Sequence, residues 1–336
     1  MISSQRDAGN DEKLHKPGHK HGTHVHAQSA VDPFLFATQR GISVVKLSFL
    51  GLMATALFQT VVVVFTGSVA LLADTIHNFG DAITTIPLWI AFRLARWKPT
   101  QRFTYGYGRV EDLAGVVIIL TILLSAIVAG YESFDRLSNP RAVVHLWAVV
   151  IASVIGFIGN EAVAIFRIKV GKEIGSIALV TDGYHARVDG LTSLAVLLGA
   201  GGIWLGYPLA DPIVGIVITG AIIRIVWESG KAIFIRLLDG IDPEVIDEIR
   251  EVVTHTPGVN DVTEVRVRWL GHRLHAEVNV AVSPDLSVEI GHSIAMAVEH
   301  HLLQSLQYLF NATIHVDPLN ASGEEHHHID GPLSIK

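Results

Sequence analysis

The chain has 336 residues, half of them apolar and only 17% charged, with 18 histidines and a formal charge of -7. A soluble domain carries about a quarter charged residues, so these numbers exclude a disordered chain and a conventional soluble enzyme and point to several membrane spans. The absence of cysteine removes disulfides, thiol nucleophiles and thiolate ligands, leaving His, Asp, Glu and backbone oxygen for any metal. No basic block stands out, so nucleic acid is not an expected partner.

Residues 1–40 read as an arm. The first 32 or so are polar, without an apolar h-region or cleavage site, and hold His15, His19, His21, His24 and His26 among Lys and Gly. This composition predicts a disordered, His-rich cytosolic arm. Six apolar runs follow within 41–238, at roughly 42–66, 70–95, 113–135, 143–167, 176–204 and 208–235. Each is long enough to cross a hydrocarbon core of about 30 Å as a helix. Arg93, Arg96, Lys98, Arg102 and Arg109 surround the second loop, and Arg167, Lys169 and Lys172 the fourth. The first and fifth loops carry no Lys or Arg. The positive-inside rule then puts loops two and four, and both termini, in the cytosol.

From Asp239 the pattern changes. Asp242-Pro243-Glu244 opens a helix that stops before Pro257-Gly258. Val265, Val267 and Trp269 share one face of a strand, and Leu274, Ala276, Val278 and Val280 one face of the next, with Gly271 at the turn. An amphipathic helix over Leu286 to Leu306 and a last strand over Ala312 to Val316 complete the order αββαβ. The predicted fold is an α-helical membrane protein with six transmembrane helices plus a C-terminal α+β, ferredoxin-like cytosolic domain over 239–320. Residues 321–336 form a tail, in which His326, His327 and His328 offer weak metal attraction at most.

The second and fifth spans repeat one motif, D-x-x-H-x-x-x-D. The first copy holds Asp74, His77 and Asp81, the second Asp182, His185 and Asp189. Positions i, i+3 and i+7 lie on one helix face, so each span presents an acid–His–acid stripe. A carboxylate within the bilayer costs at least about 2.5–3.5 kcal/mol, which calls for compensation. A divalent cation supplies it, and two imidazoles with two carboxylates suit a tetrahedral zinc, with cobalt, iron or manganese as further occupants. A hydrogen-bonded polar network and a proton relay are the competing readings. The chosen ligands are His77, Asp81, His185 and Asp189. Asp74 and Asp182, one turn nearer the helix starts, read as residues behind the ligands or at the entrance.

Six spans, H-x-x-x-D in the second and fifth, Asp211-Pro212-Ile213-Val214-Gly215 at the sixth and an αββαβ domain together resemble the cation diffusion facilitator family, over roughly residues 40–318. The resemblance implies a homodimeric exporter that exchanges a divalent metal for protons across a lipid bilayer. His in the second span is similar to the zinc-preferring members. The resemblance also implies a regulatory cytosolic site at His275, His292, His315 and Asp317. The residues alone fit ordinary surface histidines better than a site, and Asn260-Asp261 stand where relatives carry a further His. Tyr105 and Tyr107 stand where some relatives have ligands in the second loop, so no metal is expected there. Arg109 and Asp239 match a charge interlock at the base of the dimer in relatives. His272, His255, His300 and His301 are expected on the surface, and Glu111 and Asp112 receive no role.

The expected function is therefore export of a divalent cation, most readily zinc, by a secondary transporter of a prokaryotic inner membrane rather than by an enzyme. A membrane-anchored metal sensor or scaffold is the alternative. A metallohydrolase would need an open metal position and a general base, as in H-E-x-x-H, and no such motif occurs.

Overall fold

The structure, a computed structural model, describes residues 33–66, 69–138, 146–207 and 209–321, apart from some side chains, Asp74 and His77 among them. The expected His-rich arm up to residue 32 and most of the tail lie outside the described residues. Six long helices build the first domain: α1 (Pro33–Thr66), α2 (Val69–Leu94), α3 (Arg109–Ser138), α4 (Leu146–Glu173), α5 (Ile177–Trp204) and α6 (Ala210–Leu237). The shortest, α2, has 26 residues. At 1.5 Å per residue it is about 39 Å long, enough to cross a bilayer. Among the described residues α1, α3, α4, α5 and α6 are each long and apolar enough to span, and α2 packs beside them on α1 and α3. α1 begins at Pro33, so residues 33–40 are its first two turns rather than part of the arm.

The bundle exposes what a soluble protein hides. Leu50, Phe58, Phe65, Leu124, Ile158 and Trp227 face outward, an apolar surface far larger than water tolerates and matched to lipid. Inward, Leu88, Phe92, Ile118, Ile122, Leu179 and Ile222 are fully or almost fully buried. Gly183 lets α4 and α5 close on each other, since a Cβ there would lie 2.6 Å from Ile168 Cγ1 and 2.9 Å from its backbone nitrogen. That contact sets the facing of α5, which carries His185 and Asp189.

The C-terminal domain follows the expected order: α7 (Pro243–Thr254), β1 (Asp261–Leu270), β2 (Arg273–Val282), α8 (Val288–Ser305) and β3 (Leu309–Pro318). Asp242 caps α7 by accepting the Glu244 amide, with Pro243 starting the helix. β1 and β2 pair antiparallel, and β2 and β3 pair parallel through the α8 crossover. Leu274, Ala276, Val278 and Val280 of β2 are buried with Ile249, Val253, Val298 and Leu302 of the two helices.

The β1–β2 turn enters the base of the bundle. Gly271 has φ +64° and lies against the Gly108 carbonyl, where a Cβ would approach to 2.6 Å. Its amide donates to Asp112 Oδ2 (3.2 Å) and its carbonyl accepts from Arg236 (3.0 Å). His272 is 4% exposed, not a surface residue. Its Nδ1 bonds Glu111 Oε2 at 2.6 Å and its Nε2 meets Thr38 Oγ1 at 3.1 Å. The turn thus fastens α1, α3 and α6 to the second domain, and Glu111 and Asp112 are its buried acceptors.

Candidate metal centre

The H-x-x-x-D spacing puts His and Asp one turn apart on α2 and again on α5. α2 and α5 face each other across the bundle, bringing Asp81, His185 and Asp189 together. Among the described residues this is the one group of three or more potential ligands whose donor atoms lie within 4.8 Å of one another. All three are buried, at 6%, 2% and 3% exposure. His185 Nε2 is 4.0 Å from Asp81 Oδ1, and Nδ1 is 3.8 Å from Asp189 Oδ2. These separations exceed hydrogen-bond range. One ion can take only one of the two ring nitrogens, and the three donor atoms, one from each residue, lie within 4.8 Å of one another, against the roughly 3.3 Å edge of a tetrahedral shell whose bonds are about 2.0–2.1 Å long. His77 stands on α2 one turn before Asp81, its side chain outside the described residues, as is that of Asp74.

Asp182 is not in this cluster. It is fully buried and pairs with Arg167 of α4, Nη1 to Oδ2 at 3.0 Å. Arg167 also donates to the Asp182 carbonyl at 3.4 Å. Arg167, which the sequence places with the charges around the fourth, cytosolic loop, is 1% exposed inside the bundle. Its position at the last residue of an apolar run was the available signal, since an arginine at a span's edge can turn in as well as out. Arg187, inside the second motif, makes two bonds to Glu161 of α4, at 2.7 and 3.2 Å. Both pairs tie the ligand-bearing helix to α4.

Arg109 pairs with Asp239 within one chain, and Arg109 Nη1 also reaches the Leu237 carbonyl at 3.4 Å. Asp239 has φ +57°, an uncommon backbone region for a residue with a side chain.

The four expected ligands of the second domain do not form one cluster in a protomer. His315 Nε2 and Asp317 Oδ1 meet at 2.9 Å on β3, with His315 63% exposed. His275 pairs with Asn311 in the ladder, whereas His315 pairs with Asn279, four residues further along β2. That offset is about 13 Å at 3.3 Å per residue. His275 instead lies against Phe310 and Tyr105, with ring centroids at 5.6 and 6.4 Å. Burial, with Arg273 and Arg268 nearby, pushes its imidazole down to about 4. His292 is exposed on α8. Tyr105 of the α2–α3 connection packs on Arg268, whose guanidinium lies 5.1 Å from the ring centre.

The profile of the cation efflux transmembrane domain matches residues 45–238, and that of the cation efflux protein cytoplasmic domain matches residues 241–319. A probable cation efflux system protein of Mycobacterium tuberculosis is 52% identical over 88% of this chain and 89% of its own. The magnetosome protein MamB of Magnetospirillum gryphiswaldense is 25% identical over 79% and 90%. Metal tolerance protein 2 of Oryza sativa is 26% identical over 76% and 73%. A MamM C-terminal-domain variant in its cadmium form is 27% identical, over 22% of this chain and 94% of its own, with a TM-score of 0.22. Two successive domain matches across most of the chain, with long apolar helices and an αββαβ domain, make this integral membrane protein a divalent-cation transporter of the cation diffusion facilitator family.

Proposed function

We propose that the protein exports zinc from the cytosol in exchange for protons, through a site formed by His77, Asp81, His185 and Asp189. The observation that carries this reading is the buried meeting of Asp81, His185 and Asp189 between two spans that share one motif. Two carboxylates balance a dication, and imidazole nitrogen favours zinc over the harder ions. Binding needs neutral imidazoles and ionised carboxylates, so protons compete for the same atoms. Facing the cytosol the site loads metal; facing a more acidic exterior, protonation of His77 and His185 expels it. Exposure of one site to each side in turn requires movement of α2 and α5 relative to their neighbours.

In this reading the working form is a homodimer in a prokaryotic inner membrane, with both termini and the C-terminal domain in the cytosol. Arg109 and Asp239 fasten the junction. A regulatory cation on the C-terminal domain would rest on His315 and Asp317, with His275 and His292 added by rearrangement or by a second protomer. A membrane-anchored sensor has no need of a charged cluster between α2 and α5, which disfavours that alternative. Proteoliposome flux of zinc, cobalt, manganese, iron and cadmium across an imposed pH gradient is the test. Zinc flux driven by the gradient and accompanied by proton movement is expected. Flux indifferent to pH overturns the antiport, and no metal flux at all favours the sensor.

A further inference from the structure

The outer face of α2 changes character at one level. Ile83, Ile86, Ile90, Arg93 and Trp97 are all exposed. They follow one another at intervals of three and four residues, so they form a single stripe along the helix and the turn that ends it. That turn is tight, with the Arg96 amide on the Arg93 carbonyl (3.3 Å) and the Trp97 amide on the Leu94 carbonyl (2.9 Å). In such a turn side chains three apart line up, which sets Arg96 beside Arg93. From Ile83 to Arg93 the helix advances ten residues, about 15 Å, half of a hydrocarbon core of about 30 Å. Three isoleucines therefore cover the depth of one leaflet's acyl chains, and Arg93 stands where its phosphates lie.

The charge at that level is one-sided. Between Ala91 and Val110 stand Arg93, Arg96, Lys98, Arg102 and Arg109, and no Asp or Glu. Arg109 is taken by Asp239. The other four are exposed, and among the described residues none of them pairs with a carboxylate. The connection they stand on is folded on itself. The Thr100 amide donates to the Phe103 carbonyl and the Phe103 amide to Thr100 Oγ1, both at 3.1 Å, which turns the chain back. Tyr107 then packs against both Trp97 and Phe103, with ring centroids at 5.7 and 5.0 Å, and the Arg102 guanidinium lies 5.9 Å from the Phe103 centroid. These ring contacts bring Arg102 back towards Trp97 and the end of the stripe. Exposed aromatic rings mark the headgroup level of a bilayer, and a cluster of four or more cations directly after a span attracts anionic headgroups.

We propose that this surface binds an anionic phospholipid of the leaflet on the side of the C-terminal domain. An acyl chain lies along Ile83, Ile86 and Ile90, the phosphate rests on Arg93 and Arg96, and Lys98 and Arg102 stand beside the headgroup. The lipid occupies the outer face of the helix that carries Asp81 inward, and so braces the foot of a helix that alternating access has to move. The inference rests on the depth of α2 and not on which cation is carried. The test is native mass spectrometry of the full chain in detergent, with dioleoylphosphatidylglycerol or dioleoylphosphatidylcholine added at equal concentration. Wild type is expected to hold phosphatidylglycerol at least about tenfold more tightly than phosphatidylcholine. The fourfold variant Arg93→Gln, Arg96→Gln, Lys98→Gln, Arg102→Gln should lose that preference. The variant Lys169→Gln, Lys172→Gln, which removes two exposed cations from the end of α4, should keep it. Equal loss in both variants reduces the effect to general surface charge and overturns the site, as does a wild type without preference. Displacement of phosphatidylglycerol by millimolar inorganic phosphate leaves a plain anion site and overturns the lipid. Should the fourfold variant lose its native elution, Arg93→Gln decides alone: about a fivefold loss is expected from one cation at the surface, and an unchanged preference overturns the proposal.

Discussion

Two histidine-bearing regions of this molecule are built on opposite terms. In the bundle, Asp81, His185 and Asp189 are almost wholly buried and their donor atoms lie within 4.8 Å. In the C-terminal domain His315 is exposed, His292 is exposed, and His275 is turned to aromatic rings several residues along the sheet. The difference follows from the surroundings. Charges inside a bilayer must be held close to compensating groups, so their helices are fixed by glycine contacts and ion pairs. Ligands at a water-facing surface cost nothing while apart, so a chain can leave them unassembled until metal or a partner arrives.

The largest effect expected from breaking this contrast is at the membrane cluster. Asp189→Ala should lower zinc flux at least a hundredfold while the protein still elutes as a folded dimer, because a site with one carboxylate cannot neutralise a dication. Near wild-type flux in proteoliposomes would remove Asp189 from the site.

Next in size is the ion pair that supports the cluster. Arg167→Gln strands the fully buried Asp182 and should cost about 3–5 kcal/mol of stability. Replacing both partners with apolar residues of similar size should restore most of it. Thermal unfolding in detergent checks both, and a double variant no better than the single one would mean that the pair does more than balance charge.

A smaller effect lies in the C-terminal domain. His275 is held near 4 against an ordinary value of 6.5. With the folded state resisting protonation, the stability is intact above pH 6.5 and falls as pH drops from 6.5 towards about 4. The part-exposed ring limits this to about 2 kcal/mol. His275→Gln should flatten that segment of the profile in hydrogen exchange of β2 amides. An unchanged slope would place the sensitivity elsewhere.

His77→Asp sharpens the comparison by changing ligand type alone. Zinc should lose roughly tenfold relative to manganese or cadmium in competition, as oxygen replaces a borderline nitrogen. An unaltered metal ranking would show that selectivity is set by other groups. The smallest effect is expected for His315→Ala, which should reduce the zinc-dependent thermal shift of the full chain by a degree or so without touching maximal flux.

Much of this architecture could be read from one sequence. Apolar runs of twenty or more residues have one solution in lipid, a helix that satisfies its own backbone. The αββαβ order followed from alternation at Val265, Val267 and Trp269 and again from Leu274 to Val280, because a two-residue period has a single meaning on a half-buried strand. The repeated D-x-x-H-x-x-x-D was legible because spacing on a helix fixes a face.

What only the tertiary structure decided concerns side chains whose partners are remote in sequence. Asp182 was legible as polar and inward, but its pairing with Arg167 depends on how α4 and α5 close at Gly183. His272 carries no periodic signal at all. It is buried because the β1–β2 turn docks under the bundle, 161 residues from its partner Glu111. Within one protomer His275 and His315 stand apart because of strand register, which shifts a side chain by about 3.3 Å for each residue and which no local pattern specifies in a parallel pair joined through a helix. Periodicity is a property of the backbone and is written locally; a charge or an imidazole is settled by whichever oxygen or cation the finished fold brings within about 3 Å of it.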